Sequence, residues 1–236
     1  VEAIEAKLSG GPLQGLHVLM TSGPTHEPID PVRYIANRSS GRQGSAIGAA
    51  LARAGAEVTF VTGPAEAPAP SGCKIVPVET AAQMRDAVAD ALPADIAIFA
   101  AAVADWRVKS AASGKIKKDG SGKPPTLTMA ENPDILAEVS ALKPGKRPRL
   151  VIGFAAETDD VLAHARAKRE RKRCDWLIAN DVSPASGVMG GTENEIVLLT
   201  SSGEETWPRA SKDEVAAKLI DRIARWRATE DEVATC

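Results

Sequence analysis

The residues best suited to chemistry stand together in one stretch, where Asn37 is followed by Ser39, Ser40 and Gly41. An amide, two hydroxyls and a glycine N–H lie just before a segment with helical periodicity. The N-terminus of a helix carries partial positive charge and unpaired N–H groups, so this arrangement suits an anion. The same residue types also form ordinary helix caps. The stretch alone leaves both interpretations open.

Two predicted elements flank this loop. The apolar run at residues 16–20 predicts a buried strand, and the spacing of small and apolar residues over 43–54 predicts the helix that follows. The connection between them is far longer than the roughly 2–6 residues usual in α/β units, which indicates a working loop. It lacks the Gly-x-Gly-x-x-Gly fingerprint, and the chain has no Walker loop, which excludes a P-loop enzyme.

Composition narrows the possible partners. The formal net charge of −2 gives no basic excess for nucleic acid or a membrane surface. Three widely spaced cysteines argue against a disulfide framework, and neither they nor the three histidines have metal-ligand spacing. No signal peptide or membrane-length apolar run is present. We therefore expect a cytoplasmic protein with no metal site of its own.

The alternation of predicted strands and helices favours an α/β fold with a doubly wound, Rossmann-like, mainly parallel sheet. Further strands are predicted at residues 57–62, 74–78, 95–101, 126–129, 150–156 and 175–179. Further helices are predicted to start at Thr80, at Asn132 with a proline in the first helical position, at Asp160 and at Ser211. Residues 195–199 and 206–209 predict a small antiparallel hairpin at the sheet edge. We expect a linker at 1–15, one domain at 16–228 and a tail at 229–236.

Three predicted strand ends meet at one edge of this sheet, at residues 23–44, 101–105 and 154–158, and in open α/β sheets ligands bind at that edge. The segment 108–125 is rich in lysine and glycine, which indicates a solvated loop or a mobile lid. Lys168 and Lys172 lie one helical turn apart. Together these positive elements favour a polyanionic ligand such as a nucleoside triphosphate.

Seven motifs, read in order, resemble the phosphopantothenate–cysteine ligase family. They lie at residues 23–37, 39–41, 101–105, 115–118, 132–134, 153–158 and 180–182. In most bacteria that enzyme is the C-terminal half of a fusion with a flavin-dependent decarboxylase. The resemblance implies such an N-terminal domain in a full-length chain and no flavin in this one. The chain departs from the family at residues 187–191, where an aromatic and an acidic residue often occur.

The resemblance also implies a reaction. CTP, with Mg²⁺, activates 4′-phosphopantothenate as an acyl-cytidylate, releasing pyrophosphate, and the amine of cysteine then displaces CMP. The family assigns Lys115 to the first step and Asn37 and Arg33 to the second, and it is dimeric, with the hairpin region and residues 126–129 as candidate interface. Ser39, Ser40 and Gly41 correspond to a phosphate or substrate loop. The implied nucleotide contacts are Phe99, Ala100, Ala101, Asp105, Lys115, Pro133, Asp134, Ile135, Leu136, Phe154, Lys168 and Lys172.

Three other functions compete with this interpretation. A short-chain reductase would need Tyr-x-x-x-Lys, and the single tyrosine, Tyr34, is followed by Arg38 at the lysine position. A nucleotide-binding module without turnover and an enzyme that uses ATP instead of CTP stay open. For Arg33 the plainer interpretation is a surface ion pair with Glu27 or Asp30, and for Asn37 it is a cap.

Overall fold

A computed structural model of the protein describes residues 10–118, 120, 122–183 and 191–234. Within these ranges the chain forms twelve strands: β1 His17–Ser22, β2 Glu27–Asp30, β3 Arg33–Ile35, β4 Glu57–Thr62, β5 Lys74–Pro77, β6 Ile96–Phe99, β7 Trp106–Val108, β8 Met129–Glu131, β9 Leu150–Glu157, β10 Trp176–Asp181, β11 Glu193–Thr200 and β12 Gly203–Ser211. The helices of the same ranges are α1 Arg42–Arg53, α2 Ala81–Asp90, α3 Ile135–Ser140, α4 Val161–Lys172 and α5 Lys212–Ala234.

Eight of these strands form one central sheet, in the order β12-β11-β10-β9-β6-β1-β4-β5. The strands from β10 to β5 pair in parallel, and β11 and β12 add an antiparallel hairpin at one edge. In these parallel pairs, Thr21 of β1 lies opposite Phe99 of β6, and Phe99 in turn lies opposite Gly153 of β9. The predicted doubly wound, Rossmann-like sheet with its edge hairpin is confirmed.

Helices cover both faces of the sheet, as expected for strands that are apolar throughout. On one face, α1 and α5 pack over Val18, Met20 and Ile98; on the other, α2, α3 and α4 pack over Leu19 and Ala97. Side chains of consecutive strand residues point to opposite faces, so residues 18, 19 and 20 alternate between these two cores. Three layers result, and the helices fix where each strand end lies.

The long connection after β1 contains structure that the sequence did not predict. β2 and β3 form an antiparallel hairpin, and β2 lies against β7, which pairs with β8 in a second small hairpin. The predicted strand at 126–129 was therefore placed too early, because only Met129 belongs to β8. From residue 109 to 128, the described positions contain neither helix nor strand.

Side-chain caps fix the starts of α2, α3 and α5, and one predicted cap needs correction. Thr80 forms a capping box with Gln83, and Ser211 does the same with Glu214. The prediction that Asn132 caps α3 is wrong: the cap is Asp134, whose side chain accepts the Ala137 N–H. Pro133 therefore lies before the cap and does not occupy the first helical position, because the helix begins only at Ile135.

Both ends of the described chain are more ordered than expected from composition. Leu13, in the segment interpreted as a linker, is fully buried, and its N–H donates to the Ala54 carbonyl at the end of α1. α5 extends to Ala234, into the residues that were expected to form a tail. Of the divergent segment at 187–191, only Gly191 falls within the described residues. None of the helices in the described ranges combines the length and apolar character needed to cross a bilayer.

Candidate nucleotide-binding cleft

An open cleft of about 1000 Å³ lies at the carboxyl ends of β1, β6 and β9. Its walls are formed by the loops that leave β1 and β6, by residues near the carboxyl ends of β9 and β10, by the starts of α1 and α3, and by one face of α4. The volume is in the upper part of the range typical of small-molecule sites. The edge of the sheet where the sequence predicted a ligand is therefore concave.

The start of α1 presents backbone N–H groups to this cleft. Its N-cap residue, Gly41, has φ +74°, a left-handed conformation that favours glycine, and it supplies no side-chain cap. The first turn has no acidic residue. A Cβ on Gly44 would lie 2.0 Å from Ser22 Oγ, so α1 needs glycine there to approach β1 this closely. Ser39 Oγ accepts the Gly41 N–H at 3.3 Å, which shapes the turn just before the helix.

The loop after β6 is held by three polar side chains. Asn37 Nδ2 donates to the Val103 carbonyl at 2.9 Å, and Asn132 Nδ2 donates to the Ala104 carbonyl at 2.7 Å. The Ala104 N–H donates to Thr25 Oγ1 at 3.0 Å, and the Asn132 N–H donates to the Asp105 carbonyl at 2.9 Å. These bonds fix the backbone on both sides of Asp105, whose side chain lines the cleft. Asn37 is thus oriented by the loop that it helps to hold.

One polar atom of this wall has no partner. Asn132 Oδ1 is buried and accepts no hydrogen bond from the described residues, and Asn132 itself lines the cleft. An orphaned buried acceptor costs free energy that a ligand donor or a water could recover.

On the opposite side, α4 contributes Lys168 and Lys172, which face the cleft from consecutive turns. Lys172 Nζ forms an ion pair with Asp134, the residue that caps α3. Burial lowers the pKa of the Lys168 ammonium below its usual value, and the nearby Glu157 carboxylate acts in the opposite direction. Phe154, on β9, adds an aromatic surface to the same side of the cleft.

A third side of the cleft was missed by sequence reasoning. Gln43, at the start of α1, accepts from Asn194 Nδ2 and donates to the Lys212 carbonyl, at 3.3 and 3.2 Å. Asn180 Nδ2 donates to Asn194 Oδ1 at 3.3 Å, which extends this chain of amides across β10 and β11. Burial lowers the pKa of Lys212, and the positive charge of Arg42 lowers it further. Asn180 belongs to a motif singled out above, but Lys212 carries no local signal because α5 brings it here by packing on α1.

Two of the predicted catalytic residues lie elsewhere. Arg33 pairs with Asp30, so the plainer interpretation describes its contacts in this chain, and Lys115 is exposed on the segment after β7. Neither lines the cleft. The remaining predicted site residues all do: Asn37, Ser39, Ser40, Gly41, Phe99, Ala100, Ala101, Asp105, Pro133, Asp134, Ile135, Leu136, Phe154, Lys168 and Lys172.

The charge of the cleft wall favours an anion. Five cationic side chains line it, namely Arg38, Arg42, Lys168, Lys172 and Lys212. Three carboxylates line it as well, namely Asp105, Glu131 and Asp134. Among the residues that the structure describes, no group of three or more histidine, cysteine or acidic side chains is placed to hold a metal ion. The arrangement can therefore bind a polyphosphate through lysine, arginine and helix N–H groups.

The comparisons with known proteins all indicate the same family. The model for the DNA/pantothenate metabolism flavoprotein C-terminal domain matches residues 13–226. The Coenzyme A biosynthesis bifunctional protein CoaBC of Vibrio vulnificus (strain CMCP6) is 45% identical over 213 residues, which cover 90% of this chain and 53% of that protein. The protein of the same name from Escherichia coli (strain K12) is 46% identical over 213 residues, covering 89% and 52%. The chain thus spans about half the length of these relatives.

Solved structures agree. The crystal structure of the C-terminal domain of a Coenzyme A biosynthesis bifunctional protein CoaBC superposes with a TM-score of 0.77 at 32% identity, covering 93% of this chain and 99% of that one. A Cab2 H337A mutant in complex with phosphopantothenate-cysteine shares the fold, with a TM-score of 0.69 at 16% identity, covering 98% and 92%.

Proposed function

Since this chain belongs to the DNA/pantothenate metabolism flavoprotein C-terminal domain family, we propose that it is a phosphopantothenate–cysteine ligase of coenzyme A biosynthesis that uses CTP. The observation that carries the proposal is the cationic cleft at the ends of β1, β6 and β9, which gathers fifteen of the family's implied site positions along its walls. By name, the relatives are bifunctional, and this chain corresponds to about half of each. A flavin-dependent decarboxylase would form the other half.

The first step joins phosphopantothenate to the nucleotide. A carboxylate oxygen of phosphopantothenate attacks the α-phosphorus of CTP, the bond to the bridging oxygen breaks, and pyrophosphate leaves with the developing negative charge. Lys168, Lys172 and the N–H groups at the start of α1 are suited to hold the triphosphate, because fixed positive groups stabilise that charge. Phe154 and the backbone of residues 99–101 would hold the rest of the nucleotide, and Asp105 its sugar.

The second step makes the amide. The cysteine amine attacks the acyl carbon, the carbonyl oxygen becomes an oxyanion, and CMP departs as the amine loses its proton. Asn37 is suited to stabilise this oxyanion, because one of its N–H groups is used to orient the amide on Val103 and the other can point at the reacting oxygen. Removal of a single donor of this kind typically costs about 10²–10³ in rate.

A divalent cation would accompany the triphosphate. The carboxylates of the cleft are dispersed, and Asp134 is already paired with Lys172. Mg²⁺ commonly keeps several waters and binds through substrate phosphates with one or two carboxylates. The donor set here fits that mode, because phosphate oxygens and waters would supply most of the ligands, and the ion would neutralise phosphate charge.

A homodimer would bring the two remaining residues to a cleft. Val32, Tyr34, Trp106 and Met129 are exposed, at 60%, 55%, 51% and 42%, on the two small hairpins that carry or adjoin Arg33 and the Lys115 segment. Large exposed apolar side chains grouped in this way mark interaction surfaces. We assign this face to a second copy of the chain, so that Arg33 and Lys115 of one protomer reach the cleft of its partner.

The test is pyrophosphate release. With CTP and Mg²⁺, release should require 4′-phosphopantothenate, and 4′-phosphopantothenoylcysteine with CMP should appear only after cysteine is added. Repeating the assay with ATP in place of CTP shows which nucleotide supports pyrophosphate release. Saturable nucleotide binding without release, from either nucleotide, would refute the ligase and leave the nucleotide-binding module.

A further inference from the structure

The carboxylate of Asp30 is the centre of a hydrogen-bond cluster outside the cleft. Its side chain is fully buried. Oδ1 accepts the N–H groups of Val32 and Arg33, at 2.9 and 3.0 Å. Oδ2 accepts Arg33 Nε at 3.0 Å, Arg33 Nη2 and the N–H of Ile116 at 3.1 Å. The Arg33 side chain and these backbone donors hold the pKa of Asp30 well below its usual range, although burial acts in the opposite direction.

This cluster fixes the segment that carries Lys115. Arg33 Nη2 also donates to the Ile116 carbonyl at 3.0 Å, so the Asp30–Arg33 pair holds both backbone groups of the residue next to Lys115. A further bond joins the Ala112 N–H to the Ile29 carbonyl at 3.0 Å. The described part of residues 109–128 has no strand or helix, so these contacts supply the placement that regular structure would otherwise give.

We infer that Asp30 is a positioning residue that binds Arg33 and the Lys115 segment into one unit, and that this unit couples the two half-reactions. The inference deepens the proposed function and rests on it. The family resemblance assigns Lys115 to release of pyrophosphate and Arg33 to conversion of the acyl-cytidylate. Because one carboxylate orders both, the residue of the first step and the residue of the second are delivered together.

A second aspartate has similar partners but lies far from the proposed catalytic residues, and its side chain is 38% exposed. Asp175 Oδ2 accepts Arg147 Nη2 at 3.0 Å and the Val151 N–H at 2.7 Å, and thereby fixes the starts of β9 and β10. Those elements begin at the end of the sheet away from the cleft. Asp175 therefore provides a matched control, an aspartate that also binds an arginine and a backbone N–H but orders no proposed catalytic residue.

The kinetic test separates the half-reactions. Asp30→Asn should lower both pyrophosphate release and conversion of preformed acyl-cytidylate, each by about 10²-fold, because a displacement of about 1 Å can cost that much. The KM for CTP should stay within about twofold, since Asp30 does not line the cleft. Asp175→Asn should leave both rates within about twofold. Loss of only one half-reaction in Asp30→Asn would overturn the inference.

A second variant keeps the inference testable if Asp30→Asn folds poorly. Arg33→Lys keeps the charge but cannot hold Asp30 and the Ile116 carbonyl together. If Arg33 acts in the second step alone, pyrophosphate release should be unchanged. The coupling instead requires that release fall by about tenfold or more. Unchanged release in Arg33→Lys would refute it.

An activity-independent readout distinguishes failure of the coupling from failure of the ligase assignment. Hydrogen exchange at the Ile116 amide should speed up by at least about tenfold in Asp30→Asn and stay unchanged in Lys115→Gln and Asp175→Asn. If the wild type releases no pyrophosphate, the ligase assignment fails whatever the exchange shows. If the wild type is active and Ile116 exchange does not respond to Asp30→Asn, the coupling fails alone.

Discussion

The ammonium of Lys172 pairs with the carboxylate of Asp134, and that same carboxylate caps the first turn of α3. One acidic side chain thus fixes the start of a helix on one wall of the cleft and a lysine on the other. The pair keeps Lys172 only 17% exposed, with its charge held at the cleft. An arriving phosphate would meet a lysine whose rotamer is already set.

Lys172→Met should weaken CTP binding by about 10- to 100-fold, the loss expected for a charge-assisted hydrogen bond of about 1.5–3 kcal/mol. The α3 cap should persist, because Asp134 keeps its bond to the Ala137 N–H. Calorimetric titration with CTP measures the change. Lys143→Met, in a turn remote from the cleft, serves as control, and an equal loss there would mean that overall charge rather than this contact holds the nucleotide.

The lowered pKa of Lys168 should make nucleotide binding sensitive to alkaline pH. The folded protein loses this proton at a pH below the usual lysine value of 10.5, and only the charged form attracts phosphate. Affinity should therefore fall as pH rises through the lowered pKa, and binding at that pH should take up a proton because phosphate favours the charged form.

Titration in buffers of different ionisation enthalpy detects this uptake. Lys168→Arg should remove the part of the proton uptake that comes from residue 168, because a guanidinium group stays charged. Since burial also lowers the pKa of Lys212, the Lys212→Arg variant must be measured beside it. Uptake that persists in full in Lys168→Arg would contradict the assignment.

Asn37→Asp should block the second step and spare the first. A carboxylate beside an oxyanion repels it, so conversion of the acyl-cytidylate should fall by at least about 10²–10³ while phosphopantothenate-dependent pyrophosphate release continues. Rapid-quench analysis with labelled CTP should show the intermediate accumulating. An equal loss of both steps would indicate that Asn37 mainly supports the Val103 loop.

Gly44→Ala should destabilise the protein, because the added Cβ would lie 2.0 Å from Ser22 Oγ and 2.7 Å from its Cβ. Overpacking of this kind typically costs about 1–3 kcal/mol, which denaturant unfolding can resolve. Gly114→Ala is the matched control, since nothing lies within 4 Å of its added Cβ. A similar small change in both variants would mean that α1 can shift away from β1.

Val32→Asp should separate the proposed dimer, because it places a charge in the exposed apolar face of the hairpins. Sedimentation should show a monomer, and pyrophosphate release should fall in parallel. Ile75→Asp alters another exposed apolar residue, on β5 at the far edge of the sheet, and should leave association unchanged. A wild-type monomer with full activity would refute the shared cleft.

The central strands of the sheet were predictable because buried parallel strands such as β6 and β9 are continuous apolar runs bounded by turn residues. β2 was not, because its pattern is inverted: Glu27 and Asp30 are buried while Pro28 is exposed. Glu27 is satisfied by the Ala81 N–H at the start of α2, a contact 54 residues away that no local window contains. The predicted cleft residues follow strand ends, whereas Lys212 depends on how α5 packs against α1.

Proline also stands in the two outermost strands of the central sheet, as Pro77 in β5 and Pro208 in β12. Both are exposed, and neither has an N–H to offer an incoming strand. Charged side chains flank them, with Lys74 on β5 and Arg209 on β12. Each edge of the sheet is thereby protected against edge-to-edge growth and fibre-like aggregation. The proposed dimer uses a different surface, the exposed face of β2–β3 and β7–β8, and a two-fold contact there would close after two copies.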